Sequence, residues 1–184
     1  EYYSEDPVLA GKIAAAVING IESNGVGTSM KHFAVNNQEY KRQNGDSLLD
    51  ERTLREIYLA PFEMAVKEGK PHTVMCSYNK INGIHASDSK ALLTDILRNE
   101  WGFDGVVMTD WFSTSKGSGD TALCMRAGND LIMPGGKSFQ KEILKGIETG
   151  TITDDDLKRC FANVVKAILE SNLQKEFMKH EKVD

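Results

Sequence analysis

No run of about 18 apolar residues, the length a membrane-spanning helix needs, occurs in the sequence, so no membrane partner is expected. No basic-then-apolar leader pattern opens the chain either, although a leader outside this sequence would leave the same picture. Cysteine is scarce: Cys76, Cys124 and Cys160 are an odd number with neither disulfide-framework nor metal-ligand spacing. They read as buried reduced thiols, compatible with a reducing cytoplasm. The four histidines, His32, His72, His85 and His180, are scattered without an HExxH or a His/carboxylate cluster, so neither metal nor cofactor is expected. Basic charge is outnumbered, with 22 Lys and Arg against 27 Asp and Glu, and the net charge of −5 argues against a nucleic-acid surface. What is left is 40% hydrophobic and 27% charged residues in a chain of 184, enough to bury a core.

The most informative residue is Asp110. It ends the β-branched apolar run Val106-Val107-Met108-Thr109, bounded by Gly102 and Gly105, and is followed by Trp111. Such a run reads as a strand buried on both faces, as in a parallel α/β sheet or barrel. A carboxylate at its C-terminal tip is a candidate nucleophile or base, because in (β/α)₈ barrels that tip faces the active site. The residue type alone leaves a helix cap or a turn equally open.

Three more strand-like runs also end in reactive or polar groups. Gly27-Thr28-Ser29-Met30 leads into Lys31-His32-Phe33, Thr73-Val74-Met75-Cys76 into Ser77-Tyr78-Asn79, and Asp130-Leu131-Ile132-Met133 into Pro134-Gly135-Gly136. A helical pattern follows each run. That βα alternation predicts a parallel sheet whose right-handed crossovers bring all the strand tips to one rim, with Lys31, His32, Tyr78, Asp110 and Trp111 on it.

Four motifs then resemble the barrel domain of glycoside hydrolase family 3, of the β-glucosidase type. They are Lys-His-Phe-Ala-x-Asn-Asn-Gln-Glu at 31–39, Met-x-Ser-Tyr-Asn-x-x-Asn-Gly at 75–83, Trp-Gly-Phe-x-Gly-Val-Val-Met-Thr-Asp-Trp at 101–111 and Ala-Gly-Asn-Asp-Leu-x-Met-Pro-Gly at 127–135. The resemblance implies a retaining glycosidase acting on a β-glucoside or oligosaccharide, with Asp110 as the nucleophile. It further implies that Lys31 and His32 bind sugar hydroxyls, that Tyr78 lies beside the nucleophile, that Trp111 offers the sugar an apolar face and that Met75 lines the pocket. Read without the resemblance, Lys31 is also a surface lysine, His32 a core histidine, and Tyr78 and Trp111 packing residues. Asn36, Asn37 and Gln38 read as a network shaping the rim, and Arg42 as the partner of Glu39.

The expected fold class is α/β, the C-terminal half of a TIM-type (β/α)₈ barrel over residues 1–174, with 175–184 a charged tail or linker. A whole barrel takes about 250 residues. The resemblance also places the general acid/base on a second domain that no segment here resembles. The chain is therefore expected to need the remaining segments of the enzyme or a partner chain; the alternative is a noncatalytic fragment, inactive without them. The continuation Ala34-Val35-Asn36-Asn37 favours the β-glucosidase branch over the N-acetylglucosaminidase branch. A Schiff-base lysine at Lys31 is the remaining competing chemistry.

Helices are expected from Asp6-Pro7 to Asn24-Gly25, from Asp50 or Glu51 to Gly69 with a kink or restart at Pro61, from Asp88 or Ser89 to Trp101, from Ser138 to Gly150, and from Thr153 onward with a Thr153/Asp156 capping box. Leu54, Ile57 and Tyr58 in the second are expected on one face. Ile143, Leu144 and Ile147 in the fourth, and Leu157, Phe161, Val164, Val165 and Ile168 in the fifth, are expected to face the core. The Gly/Ser-rich loop 114–119 follows Asp110 and is expected to shape the aglycone side or to be an ordinary turn.

Overall fold

The computed structural model describes residues 2–115 and 118–172. Glu1, Lys116, Gly117, His180 and the expected tail at 175–184 lie outside them. Helix α1 (Pro7–Glu22) starts where the sequence places it. The Asp6 carboxylate accepts from the backbone N–H groups of Val8 and Leu9, both at 2.9 Å, and Pro7 in the first turn has no N–H to satisfy. Strand β1 (Ser29–Phe33) leads to the two-residue β2 (Asp46–Ser47).

The run α2 follows, built from Glu51–Thr53, Leu54–Leu59, Ala60–Met64 and Ala65–Gly69. Pro61 neither ends nor restarts it. The segments on either side wind in the wider i→i+5 manner, which accommodates the missing Pro61 donor within a continuous helix. Strands β3 (Thr73–Cys76), β4 (Lys80–Ile81) and β5 (Ile84–His85) precede helix α3 (Ala91–Glu100), again widely wound. Then come β6 (Val106–Met108), α4 (Thr121–Ala127), α5 (Lys137–Glu148) and α6 (Asp154–Glu170). Among the described residues no helix is long and apolar enough to cross a membrane.

The parallel sheet has the order β1-β3-β6, with Ser29 opposite Thr73 and Met75 opposite Met108. A smaller sheet of order β2-β4-β5 sits beside it. Because side chains alternate across a strand, Val74, Cys76 and Val107 share one face and are completely buried under the helices. Leu59, Leu93 and Leu97 close over them, each burial contributing roughly 1.5–3 kcal/mol. Phe33 sits edge-on to both Phe62 and Trp101, at 5.2 and 5.8 Å.

Several expectations are corrected. Strand β1 runs on through Lys31, His32 and Phe33, because the ladder resumes at Phe33 opposite Cys76 after an irregularity. The strand expected at 130–133 shrinks to a single bridge between Leu131 and Met108. Side chains share the ladder there with the backbone: beside the bonds from the Leu131 N–H to the Val107 carbonyl and from the Thr109 N–H to the Leu131 carbonyl, the Asp130 carboxylate accepts the Val107 N–H at 2.9 Å and the Thr109 hydroxyl accepts the Met133 N–H at 2.9 Å. Pro134, which has no N–H, then ends the extended stretch. Leu144, Ile147, Phe161 and Ile168 are exposed rather than inward, while Phe139, Gly146 and Cys160 take the buried positions; of the three residues expected on one face of α2, Leu54 is buried and Ile57 exposed. The capping box forms as expected, with the Thr153 hydroxyl accepting the Asp156 N–H and the Asp156 carboxylate accepting the Thr153 N–H. All three cysteines are buried and free.

Candidate active site

Asp110 lies two residues beyond β6, where the chain turns over the C-terminal edge of the sheet. Its Oδ1 accepts the Trp111 N–H at 2.7 Å and its Oδ2 lies 3.5 Å from His32 Nε2. Both side chains are buried, with Asp110 only 8% and His32 only 6% exposed. His32 comes from β1, so the pair spans the sheet over the end of β3.

Tyr78, just past the central strand β3, is also buried. Its hydroxyl donates to the Trp111 carbonyl at 2.6 Å, and the N–H of the same Trp111 donates to Asp110 Oδ1. Burial first, and the Asp110 charge second, push the phenol above its ordinary pKa. The tip that carries Tyr78 is pinned from several sides. Ser77 Oγ donates to the Ala34 carbonyl at 2.8 Å, Asn79 Nδ2 to the same carbonyl at 3.2 Å, and His85 Nδ1 meets the Tyr78 carbonyl at 3.1 Å. The peptide bonds Lys31-His32 and Phe33-Ala34 at the neighbouring β1 tip are cis, as is Met133-Pro134.

The other expected site residues fall as follows. Trp111 is half exposed at the rim, edge-on to Phe112 at 6.2 Å. Met75 is partly buried on the sheet face opposite Val74 and Cys76. Lys31 is exposed and lines a groove of about 1030 Å³ between α1, β1 and α2, together with Asn36, Asn37 and Gln38. His32, Tyr78, Asp110 and Trp111 do not line that groove. A second cavity, of about 230 Å³ around His72, Asp104 and Lys166, sits at the N-terminal ends of β3 and β6, away from this chemistry. Among the described residues no group of three or more His, Cys, Asp or Glu is placed to hold a metal ion.

Two features escaped the sequence. Arg42 pairs with Glu39 at 3.0 Å as expected, but its guanidinium also lies over the Tyr78 ring, 4.8 Å from the centroid. Asp130 takes, besides the Val107 N–H, Arg98 Nη2 at 2.6 Å and Asn163 Nδ2 at 3.0 Å, tying β6 to α3 and α6. The Asn-Asp dipeptide after Gly128 was the available signal for the second; nothing local announces the first.

The family model for the glycosyl hydrolase family 3 N terminal domain matches residues 1–167. The chain belongs to glycosyl hydrolase family 3. This family 3 chain is 45% identical over 169 residues to thermostable β-glucosidase B of Acetivibrio thermocellus, covering 91% of the chain and 22% of that relative. It is also 45% identical over 168 residues to an exo-α-(1→6)-L-arabinopyranosidase of Bifidobacterium longum, with the same coverage of 91% and 22%. The solved structure of β-glucosidase 3B from Thermotoga neapolitana in complex with glucose superposes with a TM-score of 0.89 at 43% identity, over 96% of this chain and 25% of that one. The parallel α/β architecture is thus part of the family's TIM-type barrel. The chain spans between a fifth and a quarter of the length of these relatives.

Proposed function

We propose that the chain supplies the nucleophile and part of the sugar subsite of a retaining β-glycosidase that removes terminal β-D-glucosyl residues. The observation that carries this reading is the Asp110 carboxylate, buried at a strand tip and held by the Trp111 N–H and His32. One carboxylate oxygen attacks the anomeric carbon, the bond to the leaving oxygen breaks, and that oxygen takes a proton from an acid outside this chain. Water then cleaves the glycosyl ester and restores the carboxylate. The two carboxyl groups of such a pair lie about 5–5.5 Å apart, so the segment carrying the acid packs against the rim formed by Trp111 and Tyr78.

Lys31 and His32 hydrogen-bond sugar hydroxyls in this reading, Tyr78 orients the nucleophile, Trp111 covers an apolar face of the ring and Met75 lines the floor. No metal, cofactor or nucleic acid takes part. The equal identity to the arabinopyranosidase of Bifidobacterium longum supports a second reading of the sugar alone, with a pyranose other than glucose accepted at the same nucleophile.

The test is covalent trapping with a 2-deoxy-2-fluoro-β-glucoside in the enzyme completed by its remaining segments. The glycosyl mass should appear on the peptide containing Asp110, and Asp110→Asn should lower turnover by about 10³-fold or more. Label on another carboxylate, or turnover by Asp110→Asn at the parent rate, refutes the assignment. Parallel hydrolysis of p-nitrophenyl β-D-glucoside and p-nitrophenyl α-L-arabinopyranoside decides between the two sugars, and the chain by itself is expected to hydrolyse neither.

A further inference from the structure

We infer that Arg42 is a positioning residue for the nucleophile, acting through Tyr78; the inference rests on the reading of Asp110 given above. Arg42 lies in the loop that follows β1, 36 residues from Tyr78 in sequence, yet its guanidinium covers one face of the Tyr78 ring at 4.8 Å from the centroid. Glu39, from the same loop, fixes that guanidinium at 3.0 Å. The cation is therefore held over the ring instead of sweeping through solvent, as a half-exposed arginine otherwise does.

The phenol under it donates to the Trp111 carbonyl at 2.6 Å, and the Trp111 N–H in turn donates to Asp110 Oδ1 at 2.7 Å, so the ring is tied to the residue that holds the nucleophile. A tilt of the ring shifts the hydroxyl that holds the Trp111 backbone, and with it the N–H that fixes where the nucleophile sits. Neither the backbone ties at Ser77 and Asn79 nor that at His85 limits this tilt, since they hold the main chain and not the ring. Arg42 touches the ring itself. Its charge also draws electron density from the phenol and makes it the stronger donor, opposing the influence of Asp110. The loop after β1 thus links the strand carrying His32 to the orientation of Asp110 just past β6.

The experiment is a double-mutant cycle in the completed enzyme, with Arg42→Met, Arg42→Lys, Tyr78→Phe and the double variant Arg42→Met/Tyr78→Phe. Tyr78→Phe keeps the ring and removes only the hydroxyl. Arg42→Met should lower kcat by about three- to thirty-fold and leave KM within about two-fold, with Arg42→Lys recovering part of the loss. In the Tyr78→Phe background the same Arg42→Met change should cost nothing further, because no hydroxyl remains to orient. A residue needed only for folding loses the same factor in both backgrounds, so additive losses overturn the inference. Unchanged kcat in Arg42→Met also overturns it. Covalent trapping of the parent separates the two failures: label on Asp110 with additive losses refutes the Arg42 link alone, whereas label elsewhere removes the nucleophile and the link together.

Discussion

Removing the Asp130 carboxylate should destabilise the chain more than any change confined to its surface. The side chain is completely buried, and Arg98, which it meets at 2.6 Å, is only 11% exposed. Asp130→Ala leaves that guanidinium without its counter-charge and takes acceptors from the Val107 and Asn163 N–H groups. Breaking a buried pair by deleting one partner costs about 3–5 kcal/mol. Arg98 keeps the carbonyls of Gly105 and Gly128, both at 3.1 Å, which places the loss near the lower end, about 3 kcal/mol. With a urea dependence of about 2 kcal/mol/M for a chain of this size, the midpoint should fall by about 1.5 M. Asp130→Asn, which retains an oxygen for Val107, should lose about half as much. Adding Arg98→Met to Asp130→Ala should cost less than Arg98→Met does alone, since the stranded charge is gone. A midpoint within about 0.3 M of the parent for Asp130→Ala would refute the reasoning, as would strictly additive losses.

Glu22 gives a pH dependence of defined sign. Burial pushes its carboxyl up, but hydrogen bonds from Thr28 and His72 together outweigh that and leave it below its ordinary 4.5. A depressed folded-state pKa adds stability that is present above the unfolded value and lost as pH falls through the folded one. Glu22→Gln should therefore lower the melting temperature at neutral pH and narrow its gap to the parent as the medium is acidified below about pH 4, measured by circular dichroism; a gap that stays constant would contradict this. The thiols of Cys76, Cys124 and Cys160 are buried, and burial pushes each above its ordinary value. Native chain should thus react with an aromatic disulfide reagent far more slowly than unfolded chain, where all three titrate at once; prompt native reaction would show that the core opens.

Strand tips were legible in the sequence because β-branched runs ending in Lys31-His32, Tyr78 and Asp110 carry both the period of a buried strand and the chemistry of its end. Caps were legible for the same local reason: Asp6, Asp50 and Thr153 each act on N–H groups within three residues. Apolar stripes were less informative. Periodicity shows that Phe161 and Ile168 share a face of α6 but not which segment covers it, and both are exposed among the described residues. The run at 130–133 misled because its composition is strand-like while Asp130 and Thr109 satisfy the backbone with side-chain oxygens. The stacking of Arg42 on Tyr78 leaves no trace in either local segment, since a cation over a ring has no sequence period.

The order β1-β3-β6 works as a ruler. Neighbouring strands stand about 4.8 Å apart, so His32 and Asp110 are anchored two spacings, about 9.6 Å, from one another with the Tyr78 strand between them. Backbone ladders set that metric, and no change in a rim loop alters it. The span between the anchor points of His32 and Asp110 is therefore a property of the sheet, while the loops beyond the strand ends set only how the side chains are turned on it.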